Sequence, residues 1–550
     1  MKRNRKLLAV SSACMIMAAS LSSCGDNMHD IASGSYKEES SAYEYDEESA
    51  DEEYAPEYYS TDDYAPEGDY YYWEEEPELP SANEEYKGYT EAGFKDTKSE
   101  PLSTFSADVD TASYTNVRRL IENRNIVPED AVRIEEFINY FDYDYSQPED
   151  GSAFGRYVEI ADCPWNQDHK LMMVGIQGKE LEQQETPPSN LVFLIDSSGS
   201  MSSYDKLPLV QSAFSMLAEQ LDKNDRISIV TYAGSSAVLL DGEKGSNTDE
   251  ILEQLYSITA SGSTNGEGGI NTAYELAEKH FIKGGNNRVI LATDGDLNVG
   301  ASSEEELTRL IETKRDNGIY LSVLGFGEGN YKDARMEALA DNGNGNFSYI
   351  DSEDEAERVL VQEMSGTLYT IAKDVKIQVE FNPSQVSSYR LIGYDNRLMN
   401  AEDFLDDTKD AGEVGSGHSV TALYEIEMAD TGDSYHGVPL EFASEHDSIP
   451  AENNGRSEIC KLFIAYKTPV GNENRNTSDL YSMDNYSSSP SKSMMLAQAA
   501  AGFGMVLRNS DYKGDADFDT VLDILDQLKV NDNDKINELY GLILDAADMY

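Results

Sequence analysis

The stretch Leu191-Val-Phe-Leu-Ile-Asp-Ser-Ser-Gly-Ser-Met201 decides the fold of this chain. Its first five residues are apolar without alternation, which is typical of a strand buried on both faces of a parallel sheet. The apolar run stops at Asp196, and Ser198 and Ser200 follow. Open α/β sheets bind ligands at the carboxyl ends of their strands, so these side chains are candidates for a binding site, with an ordinary Ser-rich turn after the strand as the alternative. Their hard oxygen atoms suit magnesium, manganese or calcium better than zinc or copper.

Two later segments place further oxygen-bearing side chains where such a site needs them. The loop 261–265, Ser-Gly-Ser-Thr-Asn, precedes a helical pattern, and the apolar strand 288–293 ends at Asp294-Gly-Asp296. In order, spacing and position at strand ends, these segments and the first one resemble the von Willebrand factor A domain.

The resemblance implies a metal-ion-dependent adhesion site. Asp196, Ser198 and Ser200 would supply its first loop, Thr264 its second and Asp294 its third. Read from the residues alone, Thr264 could instead cap the following helix, and Asp296 could cap a turn.

Such a site makes physical sense as a binding centre. Neutral hydroxyls leave the ion incompletely neutralised, and Mg²⁺ prefers six oxygens while keeping some waters. An open coordination position can therefore accept a carboxylate. The resemblance implies that a partner protein presents this Asp or Glu and that the cofactor is Mg²⁺, or Mn²⁺ or Ca²⁺.

Strand and helix patterns alternate regularly over residues 188–371, which predicts a doubly wound, mostly parallel sheet. Several glycines crowd the second metal loop, but no G-x-x-x-x-G-K-[ST] motif is present, so a nucleotide site is not expected. The predicted strands are 191–195, 226–233, 236–240, 288–293, 319–325 and 346–350, and the predicted helices are 205–221, 247–257, 267–281, 303–317, 331–341 and 353–371.

The pattern changes to period two after about residue 372, which predicts a β-sandwich over 372–470. We expect strands near 156–178 to join it, so that the α/β domain is inserted between its halves. Residues 471–550 read as a loop and a helical tail, with helices at 491–508, 517–529 and 533–548.

The region 101–187 reads as two helices, 111–125 and 130–142, followed by the early sandwich strands. Asp108 and Asp110 look like a second metal motif, and a cap of the first helix is the favoured alternative.

The amino terminus reads as an export signal. A basic start is followed by the apolar run 7–21 and by Leu21-Ser-Ser-Cys24, which resembles a bacterial lipobox. The prediction is a signal peptide over 1–23 and a lipidated Cys24; the alternative is an ordinary signal with a chance Cys. No later run approaches the roughly 18 apolar residues of a membrane span. The expected location is therefore the bacterial cell envelope, at the outer membrane, through an acyl anchor in the lipid bilayer.

Residues 24–100 are predicted to form a disordered acidic tether. Between 38 and 86 there are 20 Asp or Glu, 10 Tyr and no Lys, Arg or His. Dense like charge favours an extended spacer, with tyrosine contacts or weak Ca²⁺ binding as alternatives. The chain carries a formal net charge of −62 and stays acidic without this segment, so nucleic acid is disfavoured as a partner.

Cysteines and histidines give few signs of catalysis. Cys163 and Cys460 remain after processing and lie beside predicted sandwich strands; they are expected to face each other and to form a disulfide, with two free buried thiols as the alternative.

The six histidines lack metal-ligand spacing, and no H-E-x-x-H or G-x-S-x-G motif occurs. Glu267 and Asp296 are the candidate bases for a metal-dependent hydrolase, a less favoured hypothesis than a protein that is not an enzyme.

Longer phrases resemble one group of bacterial lipoproteins that contain an A domain between a short N-terminal region and a distinctive C-terminal region. The favoured function is an adhesin or envelope-assembly scaffold. The alternative is a structural envelope protein whose metal only stabilises the fold. The phrases are 101–114, 133–145, 188–201, 281–300, 324–333 and 371–381.

Overall fold

One mostly parallel sheet flanked by helices and two stacked antiparallel sheets make up the part of the chain that the structure describes. The computed structural model describes residues 77–550, apart from 150, 182–185, 265, 296–303, 330, 364–365, 367, 407–408, 410, 430–456, 470–471 and 529–532.

The strands and helices follow one another along the chain with these bounds. The strands are β1 Lys95–Asp96, β2 Leu102–Ser106, β3 Phe154–Asp162, β4 Lys170–Gly178, β5 Ser189–Asp196, β6 Arg226–Tyr232, β7 Ser236–Lys244, β8 Asn286–Thr293, β9 Tyr320–Phe326, β10 Phe347–Ile350, β11 Thr370–Phe381, β12 Val386–Ile392, β13 Leu398–Met399, β14 Val414–Gly415, β15 Ser419–Met428, β16 Glu458–Lys467 and β17 Asn474–Ser482. The helices are α1 Ala112–Glu122, α2 Ile134–Asn139, α3 Leu207–Glu219, α4 Thr248–Tyr256, α5 Gly266–Lys279, α6 Glu304–Asp316, α7 Asp333–Asn342, α8 Glu353–Glu357, α9 Lys492–Leu507, α10 Phe518–Leu528 and α11 Asp534–Met549.

The α/β domain contains β5 to β10 in the order β10-β9-β8-β5-β6-β7. Neighbouring strands are parallel except β7, which runs antiparallel to β6 at one edge. All eight residues of β5 are buried, because this strand lies at the centre and helices cover both faces. Helices α3, α4 and α8 pack on one face, and α5, α6 and α7 pack on the other. The predicted doubly wound sheet is confirmed.

The α/β domain is inserted into an antiparallel sandwich, as expected. One sheet has the order β1-β12-β15-β4-β3, and the other has the order β13-β2-β11-β16-β17, with β14 paired to β11. Strands β3 and β4 precede the α/β domain and β11 follows it. Every second residue of a strand points to the same face of its sheet. The apolar residues of β4 and β11 that alternate in this way meet in one core between the two sheets.

The helical tail covers the outer face of the five-stranded sheet. Helices α9, α10 and α11 share a core with α1 and α2, and this core includes Leu171 and Met173 of β4. The intervening residues Met172 and Val174 point instead into the sandwich. The sheet is therefore buried on both faces. None of the helices within the described residues is long and apolar enough to cross a membrane.

Cys163 and Cys460 do not form the predicted disulfide. Cys163, just after β3, lies in the helical core on the outer face, whereas Cys460 on β16 lies in the sandwich core. Both thiols are buried and free. The prediction that they face each other is wrong because the five-stranded sheet separates them.

The boundary of the predicted tether at residue 100 is also wrong. Residues 77–100, which we call the strap, lie against the folded part: β1 pairs with β12, and Glu78 and Glu85 form bridges to Asn125 and Lys332. Its acidic composition predicted disorder. Composition could not show that distant residues supply basic and polar partners for the strap.

Asp108 and Asp110 are not helix caps. Helix α1 begins after Thr111 without a side-chain capping bond. Both carboxylates instead bind the guanidinium of Arg397, at 2.9 and 3.2 Å.

Candidate metal centre

The topology brings the ends of two neighbouring strands to one edge of the α/β sheet. Strands β5 and β8 are parallel, and Ile195 is level with Ala292. Asp196 ends β5, and Asp294 follows the last residue of β8. Both carboxylates are almost completely buried, and the charge of Asp294 lies close enough to raise the pKa of Asp196. The predicted first and third loops therefore meet.

The first loop turns sharply after β5 and orients its side chains through short contacts. The backbone N–H of Ser198 donates to Oδ1 of Asp196 at 2.8 Å. The hydroxyl oxygens of Ser198 and Ser200 lie 3.0 Å apart. Ser198 is buried and Ser200 is exposed, so the loop runs from the protein interior to solvent.

The second loop is fixed to the first by backbone hydrogen bonds. Ser261 N donates to Ser197 O at 2.8 Å, and Gly199 N donates to Gly262 O at 3.1 Å. Thr264 lies half-buried two residues beyond Gly262, in the short segment before α5. The structure therefore places the loop that carries Thr264 beside the loop that carries the two serines.

The third loop holds a charged contact that the sequence did not reveal. The ammonium of Lys206, just before α3, donates to Oδ2 of Asp294 at 3.0 Å. Both side chains are buried, with 9% and 0% of their surfaces exposed. Gly295 N donates to Thr293 Oγ1 at 3.2 Å and shapes the turn after β8. The sequence shows only a lysine just before an apolar helix. Its partner Asp294 lies 88 residues further along the chain, so no local pattern connects the two residues.

Burial sets the electrostatics of the centre. It raises the pKa of Asp196 to about 6; the backbone and hydroxyl of Ser198 oppose this rise by hydrogen bonding, and the nearby charge of Asp294 adds to it. Two carboxylates at such close range favour a cation between or beside them.

The donor set fits a hard divalent cation. The first loop supplies a carboxylate from Asp196 and hydroxyl oxygens from Ser198 and Ser200, and the third loop supplies the carboxylate of Asp294. Thr264 lies on the adjoining second loop. Mg²⁺, Mn²⁺ and Ca²⁺ take such ligands, whereas zinc prefers thiolate and imidazole. When bound, the cation would supply a Lewis-acidic position that accepts an anionic oxygen.

The residues considered for catalysis do not form an arrangement of nucleophile and base within the described ranges. His169 is held by Glu425 at 2.6 Å, and His280 is held by Asp241 at 2.7 Å. Glu267 lies half-buried in the first turn of α5. Asp296 lies outside the described residues, as do the signal peptide, Cys24 and the tether up to residue 76.

Comparison with known proteins gives matches along most of the chain. Residues 190–363 match the family model of the von Willebrand factor type A domain, residues 80–173 match a model described as von Willebrand factor, and residues 366–549 match the model of the C-terminal region of "Uncharacterized protein YfbK". YfbK of Escherichia coli is 40% identical over 470 residues, which cover 84% of this chain and 81% of that protein.

More distant relatives match over shorter ranges or at lower identity. Human inter-alpha-trypsin inhibitor heavy chain H3 is 30% identical over 175 residues, which cover 30% of this chain and 20% of that protein. The solved structure of a von Willebrand factor type A protein from Catenulispora acidiphila aligns with 70% of this chain and 88% of its own, with 12% identity and a TM-score of 0.40.

Proposed function

The chain belongs to the von Willebrand factor A domain proteins that carry a YfbK-type C-terminal region, and from this premise we propose that it captures a partner protein through a divalent cation at the edge of the α/β sheet. A domains of this family mediate protein–protein interaction or adhesion. The observation that carries the proposal is the meeting of three oxygen-bearing loops, one of which reaches solvent at Ser200.

Each residue of the centre has a defined part in this proposal. Asp196 is oriented by the Ser198 N–H and would hold the ion together with the two serine hydroxyls. Thr264 and Asp294 would complete the set directly or through water. The exposed side of the first loop leaves room for a carboxylate of the partner, which is the ligand type that a hard cation prefers.

The location of this interaction is also part of the proposal. A signal peptide over 1–23, an acyl chain on Cys24 and an acidic spacer from 24 to 76 would attach the folded part to the cell envelope. The function would then be that of an adhesin or an assembly scaffold.

A second candidate function is purely structural. The centre joins loops after β5 and β8 with the loop before α5, so an ion there would also hold these elements together. On this alternative, loss of the ion lowers the melting temperature but leaves partner binding intact.

The test compares Asp196→Ala with the matched control Asp316→Ala, which removes an exposed carboxylate at the end of α6. Mg²⁺, Mn²⁺ and Ca²⁺ are titrated into each protein by calorimetry, and metal-dependent partners are captured from envelope extracts with and without chelator. We expect saturable binding at one site in the wild type and the control, and loss of ion and partners in Asp196→Ala. Partner capture that survives in Asp196→Ala would contradict the proposal and favour the structural alternative.

A further inference from the structure

Lys206 places a positive charge inside the proposed metal centre. Its ammonium contacts Asp294 at 3.0 Å, and the pair is buried. A positive charge at this depth repels a divalent cation. Lys206 therefore opposes binding of the ion that the centre is proposed to hold.

The surrounding chain is shaped to hold the lysine side chain. Gly327, just after β9, has φ +70°, and a Cβ atom there would overlap the Cγ and Cε atoms of Lys206. The carbonyl oxygen of Gly327 accepts a hydrogen bond from the Tyr349 hydroxyl at 2.9 Å. The next residue is held as well, because Glu328 N donates to Asp205 at 3.2 Å. The methylene chain of Lys206 thus lies along a glycine whose own position is fixed.

The formal charges of the centre decide what the lysine does. Asp196 and Asp294 carry two negative charges and Lys206 one positive charge, so a bound divalent cation leaves the centre with one net positive charge. Without the lysine the loaded centre would be neutral. In a buried site of low effective dielectric, one unit of charge is a strong effect.

We infer that Lys206 couples retention of the cation to binding of the partner's carboxylate. The inference rests on the proposed function and deepens it. The lysine weakens binding of the cation alone, and an anionic oxygen at the open position neutralises the excess charge. The cation and the carboxylate then bind with positive cooperativity, which is reciprocal by linkage. The partner is accordingly anionic at the point of contact.

The experiment uses Mn²⁺ as the cation and acetate as the carboxylate probe. The Mn²⁺ affinity of the purified full-length protein is measured by calorimetry with acetate or chloride at equal ionic strength, corrected for Mn²⁺–acetate association in solution. The variants are Lys206→Met, which keeps the length of the side chain, and Lys206→Arg, which keeps the charge. The matched control is Lys223→Met, at an exposed lysine in the turn between α3 and β6.

We expect Lys206→Met to bind Mn²⁺ roughly tenfold more tightly than the wild type in chloride, the size of effect that one close charge pair exerts. Acetate should tighten Mn²⁺ binding in the wild type, Lys223→Met and Lys206→Arg, and should tighten it clearly less in Lys206→Met, where direct coordination remains but the excess positive charge is gone. A Mn²⁺ affinity of folded Lys206→Met that equals or falls below that of the wild type would overturn the inference.

The wild type alone also tests the inference, so a variant that fails to fold does not end the experiment. If acetate leaves its Mn²⁺ affinity unchanged, Lys206 does not couple the two ligands. Failure of the proposed function is a distinct result: the wild type then binds no Mn²⁺, or Asp196→Ala binds it equally well.

Discussion

Glu380 shows how far burial alone moves a single ionisable side chain in this protein. It lies on β11 directly opposite Lys461, is 1% exposed, and its Oε2 atom has no hydrogen-bond partner within the described residues. Burial raises the pKa of Glu380 from 4.5 to about 7, and the charge of Lys461 opposes this rise only partly. The folded protein therefore binds a proton at Glu380 that the unfolded chain would release.

The sign of the pH dependence follows from this shift. Between pH 4.5 and about 7 the folded state holds the proton more tightly than the unfolded state, so the contribution of Glu380 to stability falls as pH rises. We predict that Glu380→Gln is more stable than the wild type at pH 8 by on the order of 2 kcal/mol and nearly equal to it at pH 5. Thermal unfolding at both pH values measures this, and a difference that does not depend on pH would contradict it.

The two cysteines give a prediction at the same scale. Burial raises the pKa of Cys163 and of Cys460 to about 12, so both stay protonated and unreactive in the folded protein. We expect the melting temperature to be the same with and without dithiothreitol, because no disulfide joins the two. A lower melting temperature in dithiothreitol would contradict this prediction and would indicate that a disulfide stabilises the protein.

The sequence was informative about the oxygen ligands and uninformative about their charge partner. Asp196, Ser198 and Ser200 lie within five residues at the end of an apolar strand, so a local pattern predicts them. Lys206 contacts Asp294 across 88 residues, and its side chain lies against Gly327 in the loop after β9. Local patterns carry no information about such a contact.

At the scale of elements, the strap (77–100) is the least expected part of the fold. Its Glu84 accepts hydrogen bonds from Arg119 at 2.9 Å and from Gly329 N at 3.0 Å, and only 2% of its side chain is exposed. Burial by itself would raise the pKa of Glu84, but the hydrogen bonds and charge of Arg119 outweigh it and lower the pKa. The strap is thereby fixed to α1 and to the loop after β9.

We predict that Glu84→Gln lowers the free energy of unfolding by about 2 kcal/mol or more, because it leaves the buried guanidinium of Arg119 without its carboxylate. The neighbouring Glu85→Gln is the matched control, since its ion pair with Lys332 involves a carboxylate that is 75% exposed. We expect the control to change stability by less than about 0.5 kcal/mol. Chemical denaturation followed by circular dichroism measures both; equal effects would show that the strap is not held through Glu84.

Elements with strong periodicity were predictable, and elements held by distant partners were not. The six strands of the α/β domain and the three tail helices lie within a few residues of their predicted positions, because continuous apolar runs and helical spacing are local signals. Strand β17 lies in a stretch that was predicted to be a loop, and β16 pairs with it. Strands β1 and β2 were also missed. The first has two residues and the second follows an acidic segment, and both are strands because β12 and β11 pair with them.

At the scale of the whole molecule, two arginines join the α/β domain to the rest of the chain: Arg133 is buried and Arg397 is largely buried. Arg397, between β12 and β13, binds Asp108 and also Asp341 at the end of α7, each at 2.9 Å. Arg133, before α2, forms an ion pair with Asp333 at the start of α7. Helix α7 is therefore held at both ends by residues outside its own domain. The inserted arrangement was predicted from the change in periodicity, but these long-range ion pairs were not.

We predict that Arg397→Met destabilises the protein by about 3 kcal/mol, since it leaves several buried carboxylates without their shared cation. Arg475→Met is the control, because Arg475, on the edge strand β17, forms an exposed ion pair with Glu473. Scanning calorimetry should show a clearly lower melting temperature for the first variant and almost no change for the second. A similar change in both would mean that Arg397 does not hold the α/β domain in place.

We propose above that the loops after β5 and β8, with the loop before α5, bind one divalent cation. Anomalous diffraction from crystals of the protein grown with Mn²⁺ tests it most directly. We expect a single strong Mn²⁺ peak within coordination distance of Asp196, Ser198 and Ser200, and no such peak in crystals of Asp196→Ala. Mn²⁺ that is found only at other sites, or a peak that persists in the variant, would contradict the claim.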